Sequence, residues 1–178
     1  MRKKLAFSGF LLLALTGLTE SRVLAQAETY SSDKVEYVLE LPSHVWKQVA
    51  EPDENHQSAE WVYGDRVNGY LRIRKEAMDP NLTMSEFAHR YQDQRLVFLP
   101  GYVAVGKDIG KEERFTGRLN GVMLSYEFTQ TGKPMTGRTY YLQADSHTVY
   151  VLMFTGLRRE LAGIRNQTDQ IARTFHLK

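Results

Sequence analysis

The chain has 178 residues, 42% hydrophobic and 25% charged, with a formal net charge of +2. It contains no cysteine, which excludes disulfides, thiol catalysis, thiolate metal sites and a lipid-modified N-terminal cysteine. The charge is unevenly placed. Arg2, Lys3, Lys4 and Arg22 against Glu20 give residues 1–27 a net +3 and leave the rest at about −1, so the basic balance does not point to nucleic acid.

Residues 1–27 read as a secretory signal peptide. Arg2, Lys3 and Lys4 form the basic region and Leu5 to Leu18 the apolar one. The small-residue cleavage patterns Val23-Leu24-Ala25 and Ala25-Gln26-Ala27 follow. The apolar run, broken by Ser8, Gly9, Thr16 and Gly17, is too short for a spanning helix. This places the protein in the periplasm or outside the cell. Residues 28–34 are polar and are expected to be a flexible lead-in to a single domain over 35–178.

Val35 to Leu41 alternates as a strand that Pro42 ends. His44 to Ser58 is polar around Trp46 and reads as a loop. Asn68-Gly69 and Asn120-Gly121 each lie between extended segments, and each predicts a tight hairpin turn. Between them, Thr83 and Glu86 form a capping box, with Leu82 and Phe87 as its hydrophobic staple. Phe87, Tyr91 and Phe98 then recur at helical spacing up to Pro100-Gly101.

Gly101 to Ile109 and Gly137 to Ala144 read as strands. His147 to Thr155 is apolar on both faces and is expected to be a central strand. A closing helix puts Leu157, Leu161, Ile164, Ile171, Ala172 and Phe175 along one stripe. This order predicts an α+β fold: a mainly antiparallel sheet with helices packed on it.

Motifs for chemistry are sparse. His44, His56, His89, His147 and His176 have no zinc-like spacing, and neither HExxH, a GxSxG elbow, a phosphate loop nor GxGxxG occurs. A Ser–His–acid set would have to assemble from distant residues. Asp53, Asn55 and Gln57 are spaced like the start of a calcium loop, but its glycine and terminal glutamate are missing. Asn81 and Asn166 match the glycosylation pattern.

Two features suit a partner surface. Arg72 and Arg74, with Arg66 and Lys75 nearby, form either a positive patch for an anionic partner or lipid headgroups, or an exposed sheet face paired with Glu60, Asp65 or Glu76. Trp46, Trp61, Tyr63 and Tyr70 form either a partner groove or core packing.

The stretch TYYLQADSHTVYVLMFTGLRRELAGIRNQTDQIARTF resembles the end of the PsbP-like superfamily, which includes the periplasmic DcrB-like proteins. The resemblance rests on a last apolar strand leading into a helix that ends Ile171-Ala172-Arg173-Thr174-Phe175. LELPSHVW, with Leu41, Pro42 and Trp46, resembles the family's first strand and the loop after it. The likeness covers most of residues 35–177. It implies an α/β/α sandwich with a central antiparallel sheet flanked by helices, and an extracytoplasmic, non-catalytic accessory or assembly factor. In photosynthetic organisms that place is the thylakoid lumen. It implies no cofactor and no catalytic residues. It carries no partner residues onto named positions; the residues themselves offer Arg72, Arg74, Trp46, Trp61 and Tyr70 as the contact surface for a protein partner of the envelope or lumen, with peripheral membrane association as a second type of contact. The alternative is a small-ligand carrier or unrecognised hydrolase with a pocket between sheet and helix.

Overall fold

The computed structural model describes residues 27–53, 55–106 and 112–178, so all but the last residue of the expected signal peptide lies outside the described residues. In chain order the strands and helices are β1 (Glu28–Tyr30), β2 (Tyr37–Leu41), β3 (Trp46–Ala50), β4 (Ala59–Tyr63), β5 (Asp65–Ala77), α1 (Met84–Arg95), β6 (Val103–Val105), β7 (Glu113–Thr116), β8 (Asn120–Gln130), β9 (Lys133–Gln143), β10 (Thr148–Leu157), α2 (Arg158–Gly163), α3 (Arg165–Thr174) and β11 (His176–Leu177). Eight strands form one sheet in the order β3-β4-β5-β10-β9-β8-β6, with β7 also pairing β8. Every ladder in it is antiparallel.

β10 lies between β5 and β9, as its two apolar faces require. Tyr150, Leu152 and Phe154 point into a core shared with Leu71, Ile73, Tyr140 and Leu142. Leu161, Ile164, Ile171 and Phe175 of the C-terminal helices close that core, together with Tyr37 and Leu39 of β2. The alternate residues Val149, Val151, Leu124 and Tyr141 face Phe87, Ala88 and Tyr91 of α1. Each large apolar side chain buried this way contributes about 1.5–3 kcal/mol before ordering entropy is set against it.

The arrangement is the expected mainly antiparallel α+β fold, with one difference in its layers. β1, β2 and β11 make a separate three-stranded sheet, so the face carrying α2 and α3 is covered by strands as well as helices. Glu28–Tyr30, expected to be a flexible lead-in, pairs with Leu39–Leu41. His44–Ser58, expected to be a loop, contains β3, whose Trp46 is only 2% exposed.

Neither Asn-Gly pair is a turn. Both lie inside strands, and the chain reverses at Gly64 (φ 71°) and within residues 117–119. Gly69 is glycine for space: a Cβ there would lie 2.8 Å from Ile164 Cδ1 and 2.9 Å from Tyr63 Cβ. The two-residue hairpin from β8 to β9 turns on Thr131 (φ 48°) and Gly132 (φ 75°), the two positive-φ positions that such a turn requires.

The capping box is present. Thr83 Oγ1 accepts from Glu86 N–H and Glu86 Oε2 accepts from Thr83 N–H. α1 stops at Arg95, before Phe98, which is 78% exposed and leaves the expected apolar stripe. The closing helix breaks at Ile164 (φ −105°, ψ 14°), and Leu157 belongs to β10. Part of the predicted strand 101–109 lies outside the described residues; Val103–Val105 is the part that pairs.

Candidate functional site

Two local features open a cleft between α1 and the sheet. The first is the end of the helix. After Arg95 the chain closes successive tight turns, with Leu99 N–H donating to Leu96 O and Tyr102 N–H to Leu99 O. These turns set Leu96, Leu99 and Pro100 as a wall. The second is Gly137 in β9. The Tyr126 ring lies across it so closely that a Cβ would fall 2.2 Å from the ring. The floor therefore sinks at this strand. The resulting cleft has a volume of about 630 Å³.

Strand register decides which side chains reach it. Tyr70 lies opposite Thr155 and Arg72 opposite Met153, and all four line the cleft. Alternation keeps Leu71 and Ile73 in the opposite core. Tyr126 and Phe128 of β8 complete the floor, and Tyr91 and Arg95 of α1 form the roof.

Charge is unbalanced at one end. Glu60 Oε2 accepts from Arg66 at 3.1 Å, and Glu60 Oε1 lies 3.6 Å from Arg72. Glu76 pairs with Arg74 at 3.2 Å and with Arg95 at 3.9 Å. Four arginines thus share two carboxylates. Arg66 also stacks over the Tyr70 ring at 4.5 Å and Arg95 over Tyr91 at 5.2 Å, contacts that hold the guanidiniums at the rim. Burial, with Glu60 nearby, pushes the Tyr70 hydroxyl well above the usual tyrosine range. Burial does the same to Tyr126. Both stay neutral donors at ordinary pH.

The five residues expected to contact a partner separate. Tyr70 and Arg72 border the cleft. Arg74 lies on the same sheet face but is occupied by Glu76. Trp46 and Trp61 are 2% and 1% exposed and belong to the core beneath α2 and α3. Trp46 donates Nε1–H to Gln167 Oε1 at 3.0 Å and packs on Tyr63 and Phe154. Trp61 meets the edge of Tyr30. A partner cannot reach either indole. Sequence reasoning missed Arg95 and the Tyr126–Phe128–Met153 floor. Arg95 follows Tyr91 by one helical turn, and Tyr126 and Phe128 alternate on one strand face, but only the long-range pairing brings them together.

Other clusters have local structural work. Asp53 accepts backbone N–H bonds from Asn55, His56 and Ser58 at 3.1, 2.7 and 3.0 Å. These bonds, that from His56 first, hold its carboxyl below the usual range and commit both of its oxygens to ordering the loop backbone. Glu112 sits between Ser85 Oγ (2.6 Å) and His89 Nε2 (2.8 Å). The acid therefore separates the hydroxyl from the imidazole, whereas hydrolytic triads place the imidazole between them. Among the described residues no cluster of His, Asp and Glu is suited to a metal, and no helix is long and apolar enough to cross a membrane.

No family profile matches the chain, and no curated protein matches it in sequence. Solved structures do match in shape. The cyanobacterial PsbP, CyanoP, of Synechocystis sp. PCC 6803 superposes with a TM-score of 0.56 at 12% identity, over 92% of this chain and 99% of that one. LpqN of Mycobacterium tuberculosis, described as involved in cell envelope biogenesis, gives 0.54 at 17% identity over 86% and 91%. The Ran-binding protein Mog1p of Saccharomyces cerevisiae gives 0.57 at 8% identity over 86% and 96%. At these identities the likeness is one of fold. The protein has an α+β fold like those of CyanoP and Mog1p, and its likeness to PsbP is what the resemblance at its C-terminus implied.

Proposed function

We propose that this protein is an exported, non-catalytic accessory module that binds a protein partner at the cell envelope or in a thylakoid lumen. The observation that carries this reading is the surface at the end of α1. Phe98 is 78% exposed and Val97 39% exposed, next in sequence to Arg95 and the arginine-rimmed cleft. An aromatic ring held in water contributes little to folding, while aromatic and arginine side chains are the usual anchors of protein interfaces. Tyr70 and Arg72 belong to the same proposed surface. The basic, apolar N-terminal stretch supports export, and the fold shared with LpqN and CyanoP agrees with an extracytoplasmic role. Mog1p, described as Ran-binding, shows that this fold can serve protein binding.

The test is crosslinking of the tagged full chain in its native envelope, comparing the native protein with Phe98→Asp and Arg72→Ala. The reading expects one reproducible protein, crosslinked near residues 95–100, released by salt and lost with Phe98→Asp. Recovery of lipid alone, or a complex indifferent to Phe98→Asp, would overturn it.

A further inference from the structure

The cleft has a further property that a protein-docking surface does not need. Its charge is segregated along one axis, with only the uncharged polar groups of Thr129, Gln130 and Thr131 at the β8 end. Arg66 and Arg72 stand on β5 at one end, and Tyr126 and Phe128 stand on β8 at the other. β10 and β9 lie between them, so the floor runs across three inter-strand steps, about 14 Å at ~4.8 Å each. Met153 and the ring of Tyr126 lying over Gly137 make the middle of that floor apolar. Leu96 and Leu99 enclose it from the helix side. The volume of about 630 Å³ falls within the range of small-ligand sites. At the charged end, Arg66, Arg72 and Arg95 retain guanidinium donors beyond those that Glu60 and Glu76 accept. Their side chains are 63%, 37% and 46% exposed, so an incoming anion can reach them.

We infer that the cleft binds a single-chain amphipathic anion, with its carboxylate on Arg66 and Arg72 and its acyl chain laid across β10 and β9 toward Phe128. Charge complementarity selects the head, because arginine forks match a carboxylate in bidentate fashion. The apolar floor selects the chain. Both are needed: the head alone would stay hydrated, and a cationic amphiphile would meet the arginine excess. This inference rests on the cleft and goes beyond the protein-binding reading.

The probe is decanoate, titrated calorimetrically into the full-length protein below its micelle concentration, beside acetate and decyltrimethylammonium. One decanoate is expected to bind per protein, at least tenfold tighter than either control. The Arg66→Gln/Arg72→Gln double variant is expected to bind at least tenfold more weakly at unchanged melting temperature. Arg158→Gln, on the opposite sheet face where it pairs with Glu127, is expected to bind as the native protein does. If the double variant does not fold, Arg95→Gln gives the same reading at smaller amplitude. Equal binding of decanoate and decyltrimethylammonium would overturn the inference. So would binding that is indifferent to the arginines, or association with anionic phospholipid vesicles in the absence of decanoate binding. Phe98 is 78% exposed and does not line the cleft, so Phe98→Asp is expected to leave decanoate affinity unchanged, and this inference and the protein-partner reading fail separately.

Discussion

Tyr140 and Tyr141 are adjacent in β9, both 0% exposed, and face opposite sides of the sheet. Removing the hydroxyl should destabilise the protein at Tyr140 and not at Tyr141. The Tyr140 hydroxyl donates to Asp169 Oδ1 at 2.5 Å and lies 3.2 Å from Thr168 Oγ1. Asp169 also pairs with Arg138 at 3.0 Å. A hydrogen bond to a charged group contributes about 1.5–3 kcal/mol. Asp169 keeps Arg138 and is 30% exposed, so water can compensate in part and Tyr140→Phe should cost about 1.5–2 kcal/mol. The Tyr141 hydroxyl is buried beneath α1 near the Thr139 hydroxyl, and among the described residues neither has a hydrogen bond of good geometry. Its ring packs edge-on against Phe87 and Tyr91 at 6.2 and 5.5 Å, contacts that phenylalanine keeps. Tyr141→Phe should therefore be neutral or stabilise by about 1 kcal/mol, since an unpaired buried hydroxyl has already lost its hydration. Urea denaturation followed by tryptophan fluorescence and far-UV circular dichroism measures both, with equal slopes required for the comparison. If Tyr141→Phe cost as much as Tyr140→Phe, the assignment of partners on the two faces would be wrong.

The same buried tyrosines predict alkaline lability. Burial raises Tyr37, Tyr126, Tyr140 and Tyr141 well above the ordinary 10.0, and Tyr102 is pushed up to about 12. The unfolded chain releases these protons from about pH 10 while the fold retains them, so stability is complete below that pH and falls as pH rises beyond it. Tyrosinate absorbance should rise together with loss of circular dichroism; titration of the folded protein before unfolding would contradict this. Thr83→Ala should cost about 1 kcal/mol by opening the capping box of α1, read in the same denaturation assay, with Thr83→Ser retaining most of it. Thr131→Asn should stabilise by about 0.5 kcal/mol, because asparagine tolerates the positive φ of that turn better than a β-branched residue. No gain in melting temperature would refute that reading.

The parts of the fold legible in the sequence were those written in local periodicity. Two apolar faces on residues 147–155 predicted a central strand, and β10 is central. Thr83 with Glu86 predicted a capped helix start, and the box is made. The Asn-Gly pairs misled because a glycine needed for close approach looks the same in sequence as one needed for a turn. Gly69 makes room for Ile164, and Gly121 sits against the Tyr141 carbonyl, where a Cβ would fall 1.8 Å away. Glu28–Tyr30 was unreadable as a strand because three residues are too few to show a period and its pairing to β2 is not local. The candidate site was half legible. Alternation on β5 put Tyr70 and Arg72 together, but Trp61 on β4 lies opposite Leu71 and is buried with it, and nothing local distinguishes an indole that packs from one that binds.

Gly137 acts on its neighbours more than through its own freedom. By leaving its pleat empty it lets the Tyr126 ring settle onto the sheet, and the hollow above that ring becomes available space. The depth of the trough is thus determined by one missing methyl on a strand that makes no other contribution to it. Alanine at 137 would lift the ring and make the trough shallower without touching an arginine. A shape filter and a charge filter therefore reside in different strands and can be altered one at a time, and a designer could retune what enters while leaving what attracts it intact.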